Sequence, residues 1–227
     1  DGSSVLAPGH QWSSFPSVAA SWRIDQEDFM KDARFINTLK LRLGAGIVGN
    51  AAIGPYQTKG LLTQNFYNWS ATNSTQGYVA SDPSAANPQK MANPELGWER
   101  TTQYNLGIDY GFLNNRISGA LDLYKTKTND LLLAMSLNSV LGYGATMANV
   151  GKTSGWGIDL QINTVNVKND NFQWNTTLTW SKDKNKILEL NNGRKEDLTN
   201  NWIVGQEIQV PYDVVYDGIW KTSEAEE

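Results

Sequence analysis

The chain carries few groups that could do chemistry. His10 is its single histidine and there is no cysteine, which removes multi-histidine and thiolate metal sites, thiol nucleophiles and disulfides. Asp82, Glu95 and Glu99 are carboxylates in one segment. Glycoside hydrolysis needs two carboxyl groups at a fixed separation across a sugar, nothing in this spacing fixes one, and the three read as solvated loop carboxylates. No phosphate-cradling glycine loop or nucleophile elbow occurs. Asn68-Trp69-Ser70, Asn73-Ser74-Thr75 and Asn175-Thr176-Thr177 match the N-glycosylation pattern, which is common by chance. Neither an enzyme nor a cofactor is expected. What remains is an aromatic concentration: Tyr56, Tyr67, Trp69 and Tyr78, with Phe66, set among Asn, Gln, Ser and Thr. Flat aromatic faces with amide and hydroxyl partners hold neutral amphipathic ligands such as sugars, and the same composition also makes an ordinary packed loop. Tyr56, Tyr67, Trp69 and Tyr78 are therefore the candidate substrate contacts.

Elements must position these residues, and composition narrows which. With 19 basic against 23 acidic residues, a net charge of -4 and a pI near 5.1, the 227-residue chain has no basic stripe for nucleic acid. Charged residues are sparse at 19% and aromatics reach 11%. The longest apolar run, Leu131 to Met135, is far short of the about 20 residues a membrane helix requires. A membrane β-barrel survives this test, because alternating strands produce no hydropathy peak.

Apolar residues recur at period two over six stretches, which predicts strands at about 13–24, 36–49, 98–112, 116–127, 153–167 and 172–184, antiparallel in one sheet. The sharpest sets Leu39, Leu41, Leu43, Ala45 and Ile47 against Lys40, Arg42, Gly44 and Gly46. Leu41, Leu43, Leu106, Ile108, Leu121, Leu160 and Leu178 are expected on one face, and Arg42, Asn105, Asp109, Asp122, Gln161 and Thr177 on the other. Short links at 25–35, 113–115 and 168–171 alternate with long ones at about 50–97, 128–152 and 185–227. A short helical turn over 26–34, capped by Asp25, is expected in the first short link. Short turns at one rim and long loops at the other are the outer-membrane barrel pattern, with the long loops extracellular. Trp98, Trp156 and Trp180 at the loop side, and Tyr110, Phe112, Phe172 and Trp174 at the turn side, would be its two aromatic girdles. A soluble β-sandwich also alternates, but loops this long are uncommon in compact soluble domains and the polar face is short, uncharged or glycine-rich, as suits a lumen wall. Six strands do not close a barrel with room for such loops, so the chain reads as part of a larger one.

Short blocks carry a further likeness. Phe15-Pro16-Ser17-Val18, Ser21-Trp22-Arg23-Ile24, Gly46-Ile47-Val48-Gly49-Asn50, Asn93-Pro94-Glu95-Leu96-Gly97-Trp98-Glu99, Asn149-Val150-Gly151, Gly155-Trp156-Gly157-Ile158-Asp159 and Tyr216-Asp217-Gly218-Ile219-Trp220 resemble, in order and spacing, the SusC/RagA family of TonB-dependent outer-membrane transporters. Each block is weak; together they span nearly the whole chain. The resemblance implies an all-β fold, with residues 1–227 a partial barrel domain of a 22-stranded transmembrane β-barrel in the bacterial outer membrane. It implies import of a nutrient oligomer, a glycan first and a peptide second, with a SusD-like surface lipoprotein as partner and the lipid bilayer as surroundings. Contact with the TonB complex would run through a plug and TonB box outside this sequence. Glycines on the inward face, such as Gly107, Gly155 and Gly157, would let a plug approach or let the strand bend. Alternatives are a siderophore or cobalamin receptor, an outer-membrane enzyme barrel, and an adhesive β domain.

Overall fold

The computed structural model describes residues 1–60, 62–70, 73–80, 90–137, 140, 143, 145–198, 201–208 and 210–211. Its strands are β1 (Ser17–Arg23), β2 (Ile36–Asn50), β3 (Leu62–Asn68), β4 (Ser74–Ala80), β5 (Lys90–Met91), β6 (Glu99–Phe112), β7 (Ile117–Asn129), β8 (Leu132–Ser136), β9 (Ala145–Asn149), β10 (Lys152–Lys168), β11 (Gln173–Glu189), β12 (Glu196–Asp197) and β13 (Trp202–Ile203). One sheet takes β1, β2, β6, β7, β10 and β11 in that order, with every neighbour antiparallel.

The alternating sequence dictates the two faces of this sheet. Successive side chains on a strand point opposite ways, and residues paired across strands share a face. The register lines up Trp22, Leu41, Ile108, Leu121, Leu160 and Trp180 in one row across all six strands. The adjacent row holds Ser21, Arg42, Gly107, Asp122, Asp159 and Ser181. A slip of one residue would exchange the faces, so the pattern itself locks the register. The apolar face is open: Leu43 is 50% exposed, Leu178 57% and Trp180 48%. The described apolar residues that are buried, among them Leu6, Ala7, Leu96, Ala148 and Ile187, lie instead on the N-terminal segment and at the bases of the long connections.

Boundaries differ from expectation where chemistry intervenes. β1 starts at Ser17 rather than 13, because Pro16 has no amide to donate; its carbonyl accepts from Ile47 N at 3.0 Å. β11 runs on to Glu189, beyond its apolar alternation, because it stays paired with β10 to the end. The link after β1 forms two 3-10 turns, Ile24–Gln26 and Asp28–Met30. Asp25 caps neither. Its carboxylate is taken by Arg23 at 2.6 Å and by the Leu39 amide at 3.3 Å, and the Arg23 hydrogen bond holds it below the usual carboxylate range.

The tight turn after β6 places Leu113, Asn114 and Asn115 at φ of 54°, 56° and 58°. Asparagine tolerates this left-handed region, whereas leucine does not do so readily. The turn is held from outside: Asn37, at a bulge of β2, accepts hydrogen bonds from the Asn114 and Asn115 amides at 2.6 and 3.3 Å. A bulge re-aims a side chain, here onto the neighbouring turn. At the turn before β11, Asn169 Oδ1 accepts from the amides of Asn171 and Phe172 at 3.2 and 2.7 Å.

The long connections are not plain loops. The first carries the β3–β4 hairpin, and β5 from the same connection pairs in parallel with β9 of the second, which in turn pairs with β8. Trp98 is fixed at the loop side by neighbours from the N-terminal segment. It precedes β6, donates to the Gln11 carbonyl at 3.3 Å and meets Phe15 edge-on with ring centroids 5.0 Å apart. At the turn side Tyr110 stacks on Phe112 at 5.6 Å and Phe35 on Phe112 at 6.4 Å.

Candidate functional site

At the loop-side end of the sheet, asparagine side chains tie the connections together. Asn149 Oδ1 accepts from the Gly97 amide at 2.7 Å, while its Nδ2 donates to the carbonyls of Gly97 and Asp130, both at 3.0 Å. A single amide thus satisfies backbone groups from the approach to β6 and from the end of β7. Asn93 Nδ2 donates to the Met147 carbonyl at 2.7 Å, and its Oδ1 accepts from the Glu95 amide at 3.0 Å. Glu99 accepts from Asn50 at 3.2 Å and from the Leu132 amide at 3.1 Å. The Leu96 carbonyl accepts from Ala7 at 3.1 Å, over fully buried Leu6 and Leu96. Loop bases must satisfy their backbone groups somehow, and here side-chain amides do it. Glu99 is committed to these bonds, and Asp82 lies outside the described residues.

The polar face of the sheet is nearly filled by its own side chains. Arg42 donates to Asp109 through Nε and Nη2 at 3.0 and 2.8 Å, and to Asp122 through Nη2 at 3.1 Å. All three are about one-third exposed, so screening limits the cluster to on the order of 1 kcal/mol. Arg23, Lys40 and Arg42 face Glu99, Asp109, Asp122, Asp159 and Asp183 on this side, so carboxylates outnumber cations on the described strands of this wall. A Cβ on Gly107 would sit 2.6 Å from the Arg42 guanidinium, and one on Gly157 would enter the Tyr124 ring. Within this wall these inward glycines make room for neighbouring side chains, and Gly155 likewise faces Thr126.

The four candidate contacts are dispersed. Tyr56, 62% exposed at φ 65°, stands beside a recess of ≈ 310 Å³ lined also by Leu6, Gln11, Thr58 and Lys59. Trp69 is 77% and Tyr78 64% exposed, at the tip of the β3–β4 hairpin and on β4 respectively. Tyr67 occupies the β3 position opposite Thr75, and Tyr78 the β4 position opposite Gln64. The hairpin gathers Tyr67, Trp69 and Tyr78 on one projecting element, while Tyr56 belongs to a separate turn. The asparagine ties were not legible beforehand, although the Asn93–Glu99 and Asn149–Gly151 blocks marked the segments that form them.

A model of the family described as TonB dependent receptor-like, beta-barrel, matches residues 2–218. The chain is 36% identical to TonB-dependent receptor P26 of Formosa agariphila over 99% of this chain and 23% of that relative. It is 34% identical to TonB-dependent receptor SusC of Bacteroides thetaiotaomicron over 87% of this chain and 19% of that relative. Among solved structures it is similar to the RagAB peptide transporter, with a TM-score of 0.78 and 25% identity, over 90% of this chain and 22% of that one. The RagAB peptide importer in its open-open state matches with a TM-score of 0.75 and 26% identity, over 89% and 21% of the two chains.

Proposed function

The chain belongs to the TonB-dependent receptor β-barrel family of the outer membrane, and from that premise we propose that the protein of which it forms a barrel segment imports a nutrient oligomer. The family is one of receptors and transporters rather than enzymes. On this reading the apolar face meets lipid, the polar face lines the lumen, and the long connections form part of the outer mouth. A solute small enough for an open pore needs no binding step. An oligomer must be captured first, and the observation that carries the proposal is the set of exposed aromatics, Tyr56, Trp69 and Tyr78, on the mouth connections among amide and hydroxyl side chains. Stacking a ring on a sugar face while amides bond its hydroxyls suits a glycan. A peptide is the second reading, favoured by the likeness to the RagAB peptide transporter.

A SusD-like surface lipoprotein is the proposed partner at the mouth, and the TonB complex the proposed source of energy through parts outside these residues. The barrel is proposed to have 22 strands. The test deletes the parent gene and compares growth and cell-surface binding across a panel of glycans and peptides, with gentle detergent extraction of the tagged protein to recover the lipoprotein. Loss of growth on one oligomer class, together with co-extraction, supports the proposal. Unchanged use of every oligomer and no lipoprotein recovered would refute it.

A further inference from the structure

The apolar face ends in lysines. Along β7 its positions run Ile117, Leu121, Leu123 and then Lys125 and Lys127; along β11 they run Leu178, Trp180 and then Lys182, Lys184 and Lys186. The register brings the two runs together. Lys125 and Lys184 flank Trp156 of β10 from either side, and Lys127 and Lys186 flank Ser154. Strand spacing puts each flanking pair roughly 10 Å apart. All five lysines are exposed, and among the described residues none forms an ion pair with a carboxylate. The carboxylate nearest in register on this face, Glu189, is already held by Lys152 at 2.5 Å. Between the lysines and the segment after β13 lies a recess of ≈ 300 Å³, lined by Ser154, Trp156, Lys184, Lys186, Gln206 and Glu207.

Five like charges on a lipid-facing wall repel one another and are tolerated only near the interface, where a lysine stem lies along apolar surface and its ammonium reaches the headgroups. The change from Leu123 to Lys125 and from Trp180 to Lys182 falls in adjacent register rows, flanking an indole of the kind that settles at a membrane interface. We infer that this patch docks the phosphate groups of an anionic lipid in the leaflet on the loop side. The patch continues without a break into the exposed apolar band, so its occupant sits at the edge of the bilayer, and the ammonium groups select it by charge. Glu207 opposes an anion at one side of the recess, where Lys184, Lys186 and Ser154 are the lining contacts, with Lys125 on the other side of Trp156.

The experiment uses the full-length parent protein in mild detergent, with native mass spectrometry counting retained lipid. The probes are lipid A with its phosphates, the same lipid dephosphorylated, and inorganic phosphate as competitor. Phosphorylated lipid is expected to be retained and the dephosphorylated form lost, with no displacement by inorganic phosphate. In K125Q/K184Q/K186Q, retention is expected to fall roughly fivefold per lysine; the corresponding arginine variant restores it, and E207Q raises it. Heat-modified gel mobility confirms that each variant is folded, and the two lipid forms on the unmutated protein decide the matter if the glutamine variant is not. Equal retention of both lipid forms, displacement by free phosphate, wild-type retention by the folded glutamine variant, or loss of an acidic protein partner with lipid unchanged would each overturn the inference. Lipid retention is read without transport, so it stands or falls separately from the import proposal.

Discussion

Replacing Asn149 by alanine removes three hydrogen bonds at once: one accepted from Gly97 at 2.7 Å and two donated to Gly97 and Asp130 at 3.0 Å. Each is a part-buried or exposed bond with a net value of about 0.5–1.5 kcal/mol, so the local loss is about 2–4 kcal/mol. Asn149 lies on β9, outside the six-stranded sheet, and the cost is expected to appear as local opening rather than global unfolding. Hydrogen exchange followed by mass spectrometry on the parent protein should show the Gly97 amide exchanging roughly thirtyfold to a thousandfold faster, with the strands of the main sheet unchanged. Asn149→Asp sharpens the test. It keeps the oxygen that accepts from Gly97 but turns a second oxygen toward two carbonyls, so it should do no better than alanine. Wild-type protection at Gly97 in either variant would refute the assignment of Asn149 as the tie between these connections.

Two further outcomes follow from the fold. Leu106→Arg places a charge in the apolar band and should cost roughly 2–4 kcal/mol of folding stability in bilayers, whereas Asn105→Ala on the polar face should cost far less; equal effects would mean the faces are wrongly assigned. Asp25 has its pKa lowered by the Arg23 hydrogen bond, so the stability it lends is present above the unfolded carboxylate pKa and is lost as pH falls through the depressed folded value. Acidification across that window should loosen the turn between β1 and β2 and speed exchange of the Leu39 amide; Asp25→Asn should lack this pH dependence, and a variant that tracks the wild type would sink the account.

The six strands of the main sheet and their two faces were legible in the sequence because a pleated strand converts period-two alternation directly into sides. The blocks around Asn93–Glu99 and Asn149–Gly151 likewise identified the family. Four things were decided only by tertiary structure. Asn37 on the turn after β6, Asn149 on Gly97 and Arg42 between Asp109 and Asp122 join residues 52 to 80 positions apart, and side-chain bonds across such separations have no periodic signature. Trp98 is drawn against Phe15 and the Gln11 carbonyl, and Gly107 and Gly157 give their space to Arg42 and Tyr124. Whether connections pair with one another, as β5 does with β9, depends on how the six strands bring their ends together. That proximity is a property of the assembled sheet, and short segments alone cannot encode it.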